Sequence, residues 1–290
     1  MTYPTQYFPG LKSVRLLTIC NDPNHSRTAT GFIILEDGIP YLYTCWHVFT
    51  GQKDISDVST FPHSPPREIV VQTKQVEARD PGVSVVGGEA RHRFPLYDRG
   101  KPRWLQQKAH RPHEVWNERE VHVPAFLDVV KLPINLPDEI LVRVGLTAAD
   151  VDDDMYPVVS EDLIIAGYLH GFSAMEGLRS EPEPLFLKRS VASRHTHPFG
   201  QIYLDGYGFP GMSRSPVYRA ENWKLFGIYT GIMFPDKSYK VSDELKRLAA
   251  IGLVVPLLVP FSVFRINTDA DGPFEEWNDP IQGGPAFLID

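Results

Sequence analysis

The sequence predicts an all-β protein. Three observations support this prediction: short apolar runs rich in Val, Ile, Phe and Tyr, turn residues that separate these runs, and one clear hairpin signal. So many short strands at such regular spacing are typical of a β-sandwich or a Greek-key barrel, and not of an α/β sheet. Strand spacing alone leaves the choice between these two architectures open.

Candidate strands follow one another along most of the chain. The clearest hairpin is "TGFIILEDGIPYLYTCWHV", where Asp37 and Gly38 supply the positive φ of a tight turn and the second strand is predicted to end at His47. The other predicted strands are "SVRLLTIC", "REIVVQT", "VSVVGG", "FLDVVKLPI", "DLIIAGYLHG", "LFLKRSVAS", "GQIYLDG", "SPVYR", "KLFGIYTGI" and "IGLVVPLL". One helix is predicted in "SDELKRLAAIG", capped by Ser242, and a second short helix after Pro260.

The chain is predicted to consist of two halves and a tail. The Pro- and Asp-rich stretch "LPDEILVRVGLTAADVDDDMYPV" is the expected connection between a first half at about 10–145 and a second at about 155–267. Residues 268–290 lack periodicity and are expected to pack along the surface as a tail. The polar stretch "PLYDRGKPRWLQQKAHRPHEVWNERE" is interpreted as a loop inserted in the first half.

Composition and charge exclude several classes of partner. A formal net charge of -7 without any basic run disfavours nucleic acid. No apolar stretch approaches the roughly 20 residues of a membrane helix, and no export signal is visible, so we expect a soluble cytoplasmic protein. Cys20 and Cys45 lie in apolar runs and are expected to be buried thiols, with a disulfide between neighbouring strands as the alternative.

The sequence gives little indication of a metal ion or cofactor. His110 and His113 in "HRPH", and His195 and His197 in "RHTHP", have neither a helical frame nor a third spaced ligand. The acidic stretch "ADVDDD" lacks the Gly and terminal Glu of a calcium loop. We therefore expect no metal and no cofactor.

Candidate chemistry centres on "GMSRSPV". A serine hydroxyl needs a neighbouring base, and the base needs a third group to fix its tautomer. No histidine follows Ser213, since the last one is His197, so the order Ser, Asp, His is impossible. The order His, Asp, Ser is available with His47, Asp128 and Ser213.

These segments resemble the trypsin/chymotrypsin-like serine peptidases, particularly their small single-domain bacterial members. "TGFIILEDGIPYLYTCWHV", "FLDVVKLPI" and "GMSRSPV" are similar to the segments that carry the family's His, Asp and Ser. The resemblance implies that His47 is the general base, Asp128 the orienting carboxylate and Ser213 the nucleophile, with the Gly211 and Ser213 amides as oxyanion hole. It also implies two six-stranded antiparallel Greek-key β-barrels with the site in the cleft between them.

The same resemblance implies a peptide or protein substrate. Its backbone would pair with Thr230, Gly231 and Ile232 in "YTGI", and the floor of the primary pocket would lie near Tyr207 and Gly208. Neither a nucleic acid nor a membrane is an expected partner.

Two departures from the family pattern bear on activity. Arg214 stands where the family has Gly, and it is expected to distort the oxyanion hole, shield it or contact the substrate. Met212 stands where zymogen-activated members have Asp, so we predict no activation by N-terminal processing. The two hypotheses are therefore a serine endopeptidase and an inactive homologue that binds peptides.

Overall fold

The fold is described from a computed structural model. It describes residues 12–22, 27–51, 65–80, 83–108, 115–116, 119–120, 126–154, 157–168, 184–193, 201–206, 208–209, 211–233, 242, 250–257 and 264–265. None of the helices within these ranges is long and apolar enough to cross a membrane.

The N-terminal half of the chain forms the first lobe, built on one large sheet. Its nine strands among the described residues are β1 (Ser13–Cys20), β2 (Thr28–Glu36), β3 (Ile39–Thr44), β4 (Pro66–Asp80), β5 (Val83–Pro95), β8 (Leu105–Lys108), β11 (Phe126–Pro133), β12 (Gly145–Leu146) and β19 (Phe264–Arg265). The order across the sheet is β19-β8-β11-β3-β2-β1-β4-β5, and β12 pairs in parallel with β2.

The C-terminal half forms the second lobe. Its six described strands are β13 (Asp162–Gly167), β14 (Leu185–Ser190), β15 (Ile202–Leu204), β16 (Pro216–Arg219), β17 (Leu225–Met233) and β18 (Ile251–Pro256), in the order β14-β13-β16-β17-β18-β15. An isolated antiparallel bridge between Val191 and Leu204 connects the ends of this order. Tyr218 and Ile228 pack into the core of the first lobe, so the two lobes share apolar contacts.

The predicted all-β fold class is confirmed, and every strand predicted from the sequence is present at least in part. The prediction of six strands in each half is correct for the second sheet and wrong for the first, which has nine in the described part of the chain. Three strands make up the excess: β8, in the stretch predicted as an inserted loop, and the two-residue strands β12 and β19, of which β12 pairs in parallel. The predicted helix at 243–249, the one after Pro260 and the tail at 268–290 lie outside the described residues.

The first hairpin forms as predicted, but its second strand ends before His47. Asp37 and Gly38 have φ values of 49° and 82°, which is the double left-handed turn that suits a two-residue hairpin. The strand β3 ends at Thr44, and His47 lies on the short helix α1 (Trp46–Thr50). This helix forms because three of its five side chains are buried and the left-handed Gly51 ends it.

Two predicted irregular segments contain regular structure. The proposed connection between the halves holds helix α2 (Asp138–Val144) and a 3-10 turn (Ala148–Asp150). The proposed inserted loop holds β8 and the short ribbons β6 (Tyr97–Asp98) with β7 (Lys101–Pro102) and β9 (Val115–Trp116) with β10 (Arg119–Glu120). Trp104 explains part of this order, because its ring packs against Phe49 and Tyr97 in the first lobe.

A buried charge cluster ties β16 to the segment that connects the lobes. Arg219 is 5% exposed, and its guanidinium forms ion pairs with Asp152 and Glu161. It also donates a hydrogen bond to the carbonyl of Asp154 at 3.1 Å. Because Asp152 is itself 8% exposed, neither charge could be solvated if its partner were removed.

Arg219→Met is expected to lower the free energy of unfolding by about 3–5 kcal/mol, because it leaves buried carboxylates without their cation. Urea denaturation measures the loss. The control is Arg99→Gly, which changes an exposed turn arginine and is expected to alter stability by no more than about 1 kcal/mol. Equal stability of Arg219→Met and the unsubstituted protein would contradict this account.

Candidate active site

His47 is held by a single carboxylate through two hydrogen bonds. Its backbone amide, in the first turn of α1, donates to Asp128 Oδ1 at 3.0 Å. Its ring Nδ1 lies 2.6 Å from Asp128 Oδ2. A short helix leaves its first amides without intrahelical partners, so Asp128 satisfies one of them and fixes the imidazole with the same group.

A local irregularity in β11 aims Asp128 at His47. The pairing of β11 with β8 shifts register between Phe126 and Val130, and Asp128 lies inside this irregularity. The side chain of Gln106 donates to the carbonyl of Leu127 at 3.0 Å and so satisfies backbone that has left the ladder. Bulges of this kind redirect a side chain without ending the strand.

The opposite side of the His47 ring is occupied by Arg214. The guanidinium Nε of Arg214 donates a hydrogen bond to His47 Nε2 at 3.1 Å. A guanidinium only donates and a carboxylate only accepts, so the two neighbours determine the tautomer: Nδ1 carries the proton and Nε2 carries the lone pair. This is the tautomer of a general base, with its basic atom already engaged.

Arg214 makes this contact from a strained backbone. Its φ is 85°, in the left-handed region that favours glycine. The family glycine at this position thus corresponds to a torsional requirement, which Arg214 meets at a cost on the order of 1–3 kcal/mol. Burial lowers the pKa of Arg214, while the carboxylate of Asp128 opposes this fall, and arginine remains charged in either case.

Cys45 completes a cluster beneath the ring. Its Sγ, a ring nitrogen of His47 and a carboxylate oxygen of Asp128 all lie within 4.8 Å of one another. These are metal-ligand types, but a zinc ligand must be a thiolate. Burial, with the charge of Asp128 adding to it, holds the pKa of the Cys45 thiol well above its usual value. The cluster fits a neutral thiol beside a carboxylate better than it fits a metal ion.

The loop that carries Ser213 is fixed by its neighbours. The Met212 amide donates to the Phe209 carbonyl at 2.9 Å, and the Arg214 amide donates to the Tyr229 carbonyl at 2.5 Å. Gly211, with a φ of 95°, presents its carbonyl to the hydroxyl of Thr30 at 3.1 Å. These bonds connect the loop to both lobes.

Ser213 and the predicted oxyanion amides have no partner in the described part of the chain. Neither the Gly211 amide nor the Ser213 amide donates a hydrogen bond to a described residue. The Ser213 hydroxyl is half-buried and forms no hydrogen bond to His47, whose Nε2 is engaged by Arg214. Within the described ranges, no group competes with a ligand for these two amides and this hydroxyl.

The predicted substrate strand has one edge along which no described strand pairs. Beyond Tyr229 a bulge follows, and Gly231 and Ile232 pair with β18 on one side. On the other side the pairing of β17 with β16 ends at Ile228. Thr230 lies between these regions and is anchored through its hydroxyl to the carbonyl of Leu253 at 3.3 Å. An extended peptide could add to such an edge through backbone hydrogen bonds.

The structure therefore joins His47 to Asp128 and brings the Ser213 loop to the same ring, but through Arg214. Of the residues predicted at the pocket floor, Gly208 donates its buried amide to the Tyr229 hydroxyl at 2.7 Å, and Tyr207 lies outside the described residues.

At the level of sequence, the chain matches no protein-family profile and no curated protein sequence. Among solved structures it is similar to a serine endoprotease from Yersinia pestis, with 12% identity and a TM-score of 0.44 over 88% of this chain and 64% of that one. The present chain thus spans less than two thirds of the length of the Yersinia pestis protein. An inactivated protease paralogue of the scabies mite gives 16% identity and a TM-score of 0.44, over 88% and 92% of the two chains. Tobacco etch virus protease, complexed with product, gives 12% identity and a TM-score of 0.43, over 89% and 78%.

Sequence reasoning missed two groups near the predicted triad, Cys45 and Thr30. Both are polar or weakly polar residues at buried positions of apolar stretches, which is the one signal that could have indicated them. Thr30 is fully buried, donates to Gly211 and accepts from the Tyr168 amide at 2.9 Å, so it connects the first lobe to two segments of the second.

Thr30→Val is expected to lower the free energy of unfolding by about 1–3 kcal/mol, because it leaves the Gly211 carbonyl and the Tyr168 amide without their partner. Urea denaturation checks this loss. The matched control is Thr30→Ser, which keeps the hydroxyl and is expected to lose less. If the valine and serine variants were equally stable, the hydroxyl would not hold the lobes together.

Proposed function

We propose that this protein is a serine endopeptidase with a His47, Asp128 and Ser213 triad, whose resting form is restrained by Arg214. The observation that carries the proposal is the two-sided engagement of His47. Asp128 holds the ring in the tautomer of a general base, and Arg214 occupies the one nitrogen that would accept the serine proton. Removal of Arg214 from Nε2 is then the step that precedes chemistry.

The proposed reaction is acyl transfer. With Nε2 released, the Ser213 hydroxyl gives its proton to His47 as its oxygen attacks the scissile carbonyl. The imidazolium gives that proton to the leaving amine, and water then hydrolyses the acyl-enzyme by the same route. The Gly211 and Ser213 amides would receive the oxyanion, which is consistent with their having no partner among the described residues.

Substrate binding is assigned to the unpaired edge of β17. Thr230, Gly231 and Ile232 would pair with an extended peptide, which favours a polypeptide substrate over a small molecule. Tyr207 is proposed for the floor of the primary pocket on the resemblance alone.

A non-catalytic peptide-binding module is the second candidate, and the same hydrogen bond favours it. An imidazole whose lone pair is permanently engaged cannot act as a base, whereas the edge of β17 would still bind peptides. The two functions differ in one respect: whether Ser213 becomes nucleophilic once Arg214 is removed.

A fluorophosphonate probe distinguishes these functions. We expect slow labelling of the unsubstituted protein and labelling about 10- to 150-fold faster in Arg214→Gly, because a hydrogen bond from a charged donor contributes about 1.5–3 kcal/mol. Glycine also accepts the positive φ without strain. Rates from intact-protein mass spectrometry give the comparison.

Two control variants accompany this experiment. Arg99→Gly removes another arginine of positive φ, in an exposed turn, and should label at the unsubstituted rate. Ser213→Ala combined with Arg214→Gly should not label. A folded Arg214→Gly protein that never reacts would exclude the peptidase and leave the binding module.

A further inference from the structure

The guanidinium of Arg214 has unused hydrogen-bond donors. Its Nε donates to His47, but its two terminal nitrogens donate no hydrogen bond to any described residue. Asp128 does not supply the missing acceptor: its two oxygens accept from the amide and the ring of His47, and no hydrogen bond joins it to Arg214. Arg214 is half-buried, and a guanidinium whose two terminal nitrogens are left without a described partner can bind an anionic ligand through them.

Among the described residues, Asp128 is the carboxylate that acts electrostatically on this guanidinium. Arg27 lies close enough to act electrostatically on Arg214, and its own side chain forms no ion pair with a described residue. The nearby thiol of Cys45 is protonated, since burial raises its pKa. In the described part of the chain, Arg27 therefore adds a second positive charge near Arg214, while the carboxylate of Asp128 is hydrogen-bonded to His47.

We propose that Arg214 binds a carboxylate of the substrate within one or two residues of the scissile bond, and that this contact withdraws the guanidinium from His47. The proposal rests on the proposed peptidase function and names its substrate class, peptides with Asp or Glu beside the cleavage site. The distance along the substrate follows from the chain, because Arg214 is the residue directly after Ser213.

The strengths of the competing hydrogen bonds favour the carboxylate. When a carboxylate pairs with Nε and one terminal nitrogen, it makes two parallel bonds and needs the Nε proton that His47 now accepts. The bond to the imidazole is a single one with a charged donor, whereas a carboxylate adds the opposite charge and a second bond. A bound carboxylate therefore displaces the neutral imidazole, and Nε2 becomes free for the serine proton. A neutral amide side chain has no such advantage.

The strained torsion of Arg214 is consistent with this role. A glycine at this position would relieve the backbone and leave His47 accessible to every substrate. An arginine makes access to His47 depend on the substrate, since only a ligand with differential affinity for the withdrawn state shifts the equilibrium toward it.

The test compares cleavage of matched peptides. A proteome-derived peptide library is first digested with the full-length protein and with Arg214→Gly, and cleaved sequences are identified by mass spectrometry. Synthetic pairs are then made in which a Glu near the cleaved bond is replaced by Gln. We expect the unsubstituted protein to cleave the Glu peptide at least about tenfold faster, as kcat/KM, at one or more positions. Arg214→Gly should cleave both peptides of a pair at equal rates.

Arg99→Gly is the matched control and should keep the preference for Glu. Two outcomes would show that Arg214 does not recognise a carboxylate: equal cleavage of Glu and Gln peptides by the unsubstituted protein, or cleavage of both peptides by Arg214→Gly alone. In either case the inference fails while the peptidase function stands. If a preference for Glu persists in Arg214→Gly, another group recognises the acid and the inference fails. If no variant cleaves peptides or reacts with a fluorophosphonate, the proposed function fails first, and this inference with it.

Discussion

The hydrogen bond from Arg214 to His47 is the contact on which the rest of the site depends. It joins the second lobe to the ring of the first across 167 residues of sequence, and it is made by a side chain that cannot accept a proton. Together with Asp128 it leaves His47 only one tautomer. The same bond fixes the ring and occupies Nε2, the nitrogen that accepts the serine proton in the proposed mechanism.

Several local features position the His47 ring and the groups that contact it. The irregularity in β11 aims Asp128, the five-residue helix α1 presents the His47 amide and ring to the same carboxylate, and the positive φ of Arg214 directs its side chain back over the cleft. Strain at a single residue persists only where the surrounding structure compensates for it. Here the compensation includes the hydrogen bond to His47 and the anchoring of the Arg214 amide to Tyr229.

Thr30 extends this dependence to the relation between the lobes. Its hydroxyl connects β2 with the Gly211 carbonyl and with the amide of Tyr168, and Ser13 adds a second link by donating to the Ala166 carbonyl at 2.9 Å. The position of the Ser213 loop over His47 is therefore set by polar contacts between lobes as well as by the two cores.

The features that the sequence predicted correctly are those encoded within short segments of the chain. Alternating apolar runs located the strands, the Asp37 and Gly38 pair located the hairpin, and the order of three motifs selected His47, Asp128 and Ser213. It did not predict α1, which is too short for a helical period, or the two-residue strands β12 and β19, which form only because a neighbouring strand is present. The sequence also did not predict the direction of the Arg214 side chain. A long side chain takes its rotamer from contacts made after the lobes have packed, and neither its partner nor its torsion is visible in "GMSRSPV".

The most direct measurement is the scalar coupling across the N–H···N hydrogen bond in protein labelled with nitrogen-15. The account predicts a coupling between Arg214 Nε and His47 Nε2, with the His47 ring protonated at Nδ1. Absence of this coupling, together with a proton on Nε2, would contradict the account, because a protonated Nε2 cannot accept the hydrogen bond from Arg214.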